Sequence, residues 1–211
     1  GGTYASANLI GGGNVTLRLV QDLGAAPTKT NVTIQDLQGS AGDKIVTRYF
    51  NGVNGNLTIE QGNFAGEIAG TGNVTKSTAG TLTLSGQSTY GGTTAISLGT
   101  IRSGINNALP PTTGLTVGTG ANVGTLDLAT FNQTIGSLTV GTNVAADNVI
   151  TIGSGRTLTV NGNVTVSNNT ATSTTNLVMN GGGALDVNGT NFIVGSNSAA
   201  APSGNTAKLD L

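Results

Sequence analysis

The chain repeats one short pattern nine times, in which a threonine stands between two aliphatic residues. Side chains that alternate with period two point to opposite faces of a strand, so each copy predicts two buried aliphatic side chains and one outward hydroxyl. The pattern is only three residues long, and glycine or asparagine usually stands close by. We therefore expect many short strands separated by sharp turns, as in the coils of a β-solenoid. The central threonines are Thr16, Thr33, Thr58, Thr83, Thr116, Thr139, Thr151, Thr159 and Thr165.

The sequence distances between these threonines are uneven, which fits coils of about 20–30 residues with two or three strands each and turns of variable length. No helical periodicity appears, and residues that favour helix interiors are sparse. Asn-Gly pairs mark turns because both residues tolerate a positive φ. These pairs begin at Asn51, Asn54, Asn161, Asn180 and Asn188. Further short strands are predicted at 125–128, 177–179, 184–187, 192–194 and 208–211.

The composition excludes several classes of function. The chain has no cysteine and no histidine, so thiolate metal sites, cysteine nucleophiles and Ser–His–Asp triads are impossible within it. Charged residues make up 8% of the chain, and the net charge is −1, so nothing favours binding to nucleic acid. No run approaches the roughly 18 apolar residues of a membrane-spanning helix. We therefore expect a non-enzymatic protein with no catalytic, cofactor-binding or metal-ligating residue and no transmembrane segment.

One segment of the chain resembles a known family. Residues 76–86 read Lys-Ser-Thr-Ala-Gly-Thr-Leu-Thr-Leu-Ser-Gly, and Ser88-Thr89-Tyr90-Gly91-Gly92-Thr93-Thr94 and Gly99-Thr100-Ile101 follow. This run is similar to the autotransporter-associated β-strand repeat, and the resemblance extends over residues 73–138, departing from the pattern at Thr78 and Arg102. The resemblance implies a right-handed parallel β-helix of the passenger type in a large bacterial surface or secreted protein. It implies no catalytic residues.

Three aspartates and a set of asparagines are the candidate sites. Asp127, Asp186 and Asp210 share a Leu-Asp-Leu or Leu-Asp-Val setting. A pair of carboxylates on one outer face is the arrangement of a glycosidase, but these three lie far apart in sequence, and we expect solvated outward side chains. The Asn-x-Thr sequences are either glycan acceptors or turns that lead into a strand, and we favour turns. They begin at Asn14, Asn31, Asn56, Asn73, Asn132, Asn163, Asn168 and Asn188.

The outward threonines raise one further possibility, an ice-binding array. Such an array needs threonines in register, and the uneven spacing predicts that this register is lost. The fold expected from the sequence is all-β, a right-handed parallel β-helix (β-solenoid) with short strands and Gly/Asn-rich turns. Residues 1–211 would form one elongated domain, with 1–70 an atypical terminal or docking part. A compact β-sandwich is the less favoured fold, because its core usually contains many aromatic side chains and this chain is only 3% aromatic.

The function expected from these observations is an extracellular structural scaffold on a bacterial cell surface, either an adhesin stalk or a self-associating fibre subunit. The open ends of a solenoid invite pairing with another copy, end to end, or with flanking repeats of a longer chain. Surface glycans are further candidate partners. The alternatives are a carbohydrate-active β-helix enzyme and a carbohydrate-binding surface module.

Overall fold

The computed structural model describes residues 2–4, 7–9, 15–18, 31–47, 55–142, 144, 146–168, 174–196 and 206–210. These residues contain strands and turns and no helix. Parallel strands stack as a β-solenoid. The all-β parallel β-solenoid with short strands and Gly/Asn-rich turns, expected from the sequence, is therefore confirmed.

Most strands are three to five residues long. The strands are β1 (Gly2–Tyr4), β2 (Ala7–Leu9), β3 (Thr16–Arg18), β4 (Asn31–Gly39), β5 (Lys44–Val46), β6 (Asn56–Phe64), β7 (Glu67–Ala69), β8 (Val74–Lys76), β9 (Thr81–Leu84), β10 (Thr94–Ile96), β11 (Gly99–Ser103), β12 (Gly114–Gly120), β13 (Gly124–Asp127), β14 (Gln133–Ile135), β15 (Ser137–Thr142), β16 (Asp147–Thr151), β17 (Thr157–Val160), β18 (Val164–Asn168), β19 (Thr174–Asn180), β20 (Ala184–Val187), β21 (Phe192–Ser196) and β22 (Thr206–Asp210). The five additional strands predicted from the sequence correspond to β13, β19, β20, β21 and β22.

The strands line three faces of the solenoid. Face 1 contains β1, the first half of β4 and of β6, and then β8, β10, β12, β15, β18 and β21. Face 2 contains β2, the second halves of β4 and β6, and β9, β11, β13, β16, β19 and β22. Face 3 contains β3, β5 and β7 at one end, and β14, β17 and β20 at the other. Because β4 and β6 run across the corner between faces 1 and 2, these two faces form one sheet.

The interior is a column of aliphatic side chains, one or two from each strand. The inward residues of face 1 include Leu57, Leu115 and Leu138, which are at most 1% exposed. Each coil buries its side chains mainly against the coils above and below it, so the core grows with the number of coils. Rings contribute little: Phe64 and Tyr90 are the fully buried aromatic residues in the described part of the chain.

The corners absorb large differences in coil length. Paired positions on successive coils are 17 residues apart at Leu57 and Val74 and 32 apart at Thr174 and Thr206. This range is slightly wider than the 20–30 residues expected. The faces stay in register because the extra residues of a long coil are placed in its turns.

Candidate functional site

The outward side of face 1 carries a column of threonines in direct register. Backbone pairing aligns Thr33 with Thr58, Thr58 with Thr75, Thr116 with Thr139, and Thr139 with Thr165. Ala95 occupies the same position between Thr75 and Thr116, and Ile193 follows Thr165. Neighbouring strands of a sheet are about 4.8 Å apart, so these side chains form an evenly spaced row. We call this row, from Thr33 to Thr165, the threonine column.

The prediction that uneven spacing breaks the register of the threonines was therefore wrong. The nine triplets are divided among the three faces, so sequence distance from one triplet to the next does not measure one coil. Five lie on face 1, two on face 2 and two on face 3. The triplets centred on Thr83 and Thr151 belong to face 2, and those centred on Thr16 and Thr159 belong to face 3.

Asparagines stack beside the threonine column, at the corner where the chain enters face 1. The Asn56 amide donates to Oδ1 of Asn31 over 2.9 Å, and the backbone N–H of Asn73 donates to Oδ1 of Asn56 over 3.2 Å. Oδ1 of Asn73 in turn accepts from the backbone N–H of Thr93 over 2.8 Å. Each side chain thus satisfies a backbone or side-chain group of an adjacent coil, which is the role of a turn residue.

More stacked asparagines lie farther along the solenoid. Asn161, Asn163 and Asn188 lie at the same corner, between faces 3 and 1, and Asn132 lies in the loop before face 3. Oδ1 of Asn132 accepts from the backbone N–H of Thr157 over 2.9 Å, and the Asn188 amide points to Oδ1 of Asn161 at 3.5 Å. Oδ1 of Asn163 accepts from the N–H of Asn191. Six of the eight Asn-x-Thr sequences thus make hydrogen bonds between coils. Asn14 and the side chain of Asn168 lie outside the described residues.

The candidate carboxylates are not brought together. Asp127 lies on face 2, where its carboxylate is 3.5 Å from Nε of Arg102 and accepts from the N–H of Ala129 over 2.8 Å. Asp186 lies on face 3, opposite Thr159 in the ladder. The backbone of Asp210 pairs with Val178 on face 2, and its side chain lies outside the described part. Asp186 lies on a different face from Asp127, so these two carboxylates cannot flank one glycosidic bond. On face 2, β16 and β19 stand between the strand of Asp127 and the strand of Asp210.

A small polar groove crosses the corner between faces 2 and 3. It has a volume of about 230 Å³ and is lined by Asp43, Lys44, Glu67, Gln87 and nearby glycines. Nζ of Lys44 lies 2.8 Å from the Glu67 carboxylate, and the Thr89 hydroxyl donates to the same carboxylate. Hydrogen bonds from Lys44 and Thr89 lower the pKa of Glu67. Lys44 and Glu67 are therefore paired with each other, and the Asp43 carboxylate accepts hydrogen bonds from the backbone N–H groups of Val15 and Ser40.

Two polar residues in the interior were missed by the sequence patterns. Lys76 is fully buried on face 1, and Tyr90 is 1% exposed at the corner that leads to β10. The signal for Lys76 is present, because Val74-Thr75-Lys76 has the period of a triplet with lysine at its second inward position. Charged residues are almost never fully buried unless they are paired, and the aliphatic-Thr-aliphatic pattern does not include a strand with lysine at an inward position.

Groups of three or more carboxylates that could hold a metal ion do not occur in the residues that the structure describes. These residues also contain no helix long and apolar enough to cross a membrane. Comparison of the chain with protein family models, with curated proteins and with solved structures found no match in any of the three. The likeness of residues 73–138 to the autotransporter-associated repeat stays a resemblance.

Proposed function

We propose that this protein is a non-enzymatic structural scaffold outside the bacterial cell, a rod that associates end to end with another copy or with flanking repeats. The observation that supports it most is the register of the coils: coils of 17 to 30 residues keep face 1 aligned across the stack. Each coil offers the next a matching ladder and a matching aliphatic surface. An assembly of this kind extends by repeating one contact.

The strand β21 supports association at one end of the rod. It pairs with β18 on one side and is the last strand of face 1 in the described chain. Phe192, Ile193 and Val194 are 46%, 44% and 40% exposed, and they are the large apolar residues with the greatest exposure in that part. Exposed apolar edge strands are templates for pairing with another chain. A further coil or a second copy would bury Phe192 and Val194, which pair with the inward residues Val164 and Val166.

The test is the state of association of the purified chain and of a charged variant. We expect the wild type to form rods or filaments with increasing concentration, seen by sedimentation velocity and negative-stain microscopy. Phe192→Lys combined with Val194→Lys should shift it to a dispersed state, because two charges would be buried at each contact. The control, Thr139→Lys, places a charge on the outward side of a central coil and should leave association unchanged. A wild-type chain that stays a monodisperse monomer at high concentration contradicts the proposal.

A second candidate function is binding of carbohydrate along face 1. The threonine column and the flanking Asn73, Thr93 and Asn163 present hydroxyl and amide groups without charge at a regular spacing. Thr116→Lys combined with Thr139→Lys should abolish retention on polysaccharides, whereas Thr159→Lys on face 3 should not.

A carbohydrate-active enzyme is the remaining alternative. Polysaccharide cleavage that Asp127→Ala or Asp186→Ala abolishes would replace the scaffold proposal.

A further inference from the structure

A lysine occupies a position in the core where its neighbours are aliphatic. The inward column of face 1 runs from Ile59 through Lys76 to Ile96, as the backbone pairing shows. Ile59, Lys76 and Ile96 are all 0% exposed. The long side chain therefore crosses the interior toward the corner between faces 1 and 2.

The amine of Lys76 ties its own coil to the next. Nζ donates to the backbone carbonyl of Thr78 in the turn after β8 and, over 3.2 Å, to the carbonyl of Leu98 one coil later. A Cβ on Gly99 would stand 2.1 Å from the carbonyl oxygen of Thr78, 2.5 Å from that of Gly80 and 2.8 Å from Nζ of Lys76, so the amine packs with these carbonyl groups against a position that has no room for a side chain. The backbone N–H groups of Ser97 and Leu98 both donate to the carbonyl of Lys76. Amine and carbonyl of one residue thus hold the same corner.

The groups around the amine are almost all neutral. Residues 77–80 and 97–99, which form the two turns at this corner, contain no titratable side chain. Glu60 of β6 is the charged group whose attraction favours the protonated amine, and burial acts more strongly in the opposite direction. On face 2, Arg102 of β11 is paired with Asp127. Burial lowers the pKa of Lys76 to about 8 from an ordinary value of 10.5.

We propose that Lys76 is a proton-controlled latch between coils: gain of a proton loosens the corner formed by residues 77–80 and 97–99, and loss of the proton tightens it. In the closed corner, the amine is removed from water and no carboxylate contacts it, so burial favours the neutral amine over the ammonium ion, even though the two carbonyl oxygens accept hydrogen bonds from either form. In an opened corner, water solvates the ammonium ion and the amine regains its ordinary affinity for protons.

The direction of the pH effect follows from this difference. Between pH 10.5 and about 8, the opened corner carries a proton that the closed corner lacks, so opening becomes more favourable as the pH falls. Below pH 8 Lys76 is protonated in both the closed and the opened corner, so its ionisation no longer makes the opening equilibrium change with pH. The latch is therefore tight in alkaline solution and loose at neutral pH.

The first test observes the amine directly in the unmodified chain. The chain has four lysines, Lys29, Lys44, Lys76 and Lys208, so lysine labelled with ¹³C at Cε gives few signals. Signals are assigned by Lys29→Arg, Lys44→Arg and Lys208→Arg, which leave the buried residue intact. We expect the signal of Lys76 to titrate near pH 8 and separately from the rest. A Lys76 signal that titrates together with the other three would overturn the proposal.

The second test measures opening of the corner by hydrogen exchange. Protection of residues 77–80 and 97–99, taken relative to the intrinsic exchange rate at each pH, should increase more than tenfold from pH 8 to pH 10. Lys76→Arg keeps a permanent charge and Lys76→Met has none, so both should remove this increase. Residues 137–142, farther along the stack, serve as the internal reference. An equal increase in the wild type and in Lys76→Arg would refute the latch.

Discussion

The phenol oxygen of Tyr90 lies 2.6 Å from Oγ1 of Thr94, and both groups are buried. Oγ1 of Thr94 is 2.9 Å from Oγ1 of Thr113, which donates to the carbonyl of Gly92 over 3.0 Å. Because a carbonyl only accepts, the direction of the chain is settled: Tyr90 donates to Thr94, and Thr94 donates to Thr113. The hydroxyl of one coil is thereby bonded to the next coil inside the core.

We expect removal of the first hydroxyl of this chain and removal of the middle one to lower the free energy of unfolding by different amounts. Tyr90→Phe removes the first donor and leaves the other bonds intact, so it should lower the free energy of unfolding by about 1 kcal/mol. Thr94→Val removes an acceptor from Tyr90 and a donor from Thr113, and should cost about 2–3 kcal/mol. Urea unfolding measures both. The double variant should lose no more stability than Thr94→Val alone, since the hydrogen bond between Tyr90 and Thr94 is already absent in that variant. Additive losses of stability would show that the two hydroxyls act independently.

The ionisation of Tyr90 should follow the burial of its ring. Burial raises the pKa of the Tyr90 phenol above its ordinary value of 10. A group whose pKa is raised by folding stabilises the fold fully below its unfolded pKa, and this contribution is lost as the pH rises above it. Stability should therefore fall above pH 10, and this fall should be weaker in Tyr90→Phe. Absorbance of the phenolate, followed against pH in the folded chain, should show that Tyr90 ionises only on unfolding.

Asn73 provides a test of the turn interpretation. Its Oδ1 accepts from the backbone N–H and from the hydroxyl of Thr93. Asn73→Ala should lower the free energy of unfolding by about 1 kcal/mol because the corner loses these acceptors, whereas Asn73→Asp keeps a side-chain acceptor and should cost less. Chemical denaturation compares the two variants. Equal losses would indicate that the amide nitrogen, rather than the oxygen, is the important atom.

Gly62 is expected to tolerate no side chain. It has a φ of +146°, and a Cβ there would lie 2.0 Å from the carbonyl oxygen of Leu37 on the preceding coil. Gly62→Ala should therefore destabilise the protein by at least about 2 kcal/mol, from backbone strain and from the clash. Gly195 is the matched control, because a Cβ there meets nothing within 4 Å. Thermal unfolding of Gly195→Ala should differ little from that of the wild type.

Ser103 is the opposite case, a residue with a buried hydroxyl whose removal should stabilise the protein. It is 2% exposed on the inward side of face 2, and its hydroxyl has no hydrogen-bond partner among the described residues. An unsatisfied buried hydroxyl is unfavourable by about 1–3 kcal/mol, so Ser103→Ala should raise the free energy of unfolding. Thr47→Val is the comparison, since the Thr47 hydroxyl donates to Ala69 and accepts from Gly72, and its loss should destabilise. A loss of stability in Ser103→Ala would point to an ordered partner, such as water.

Much of the architecture was accessible from local patterns. The period-two triplets predict strands because a threonine flanked by aliphatic residues suits one wet and one buried face, and β15 and β17 follow this pattern. Turn residues such as Asn132 and Asn188 were predicted for the same reason, namely the conformations and hydrogen bonds available to asparagine. Lys76 was missed because a local pattern does not show which carbonyl groups a buried amine will reach.

The sequence alone determined that the chain forms short strands and tight turns, because alternation and turn chemistry act over a few residues. It also excluded histidine and cysteine chemistry. Only the tertiary structure decided which triplets share a face, since the corners hold variable numbers of residues and sequence distance cannot measure a coil. The threonine column, the separation of Asp127 from Asp186, and the contact of Lys76 with Leu98 all depend on how coils stack. Each of these features concerns residues that are far apart in sequence, and only the packing of one coil on the next fixes whether they lie together or apart.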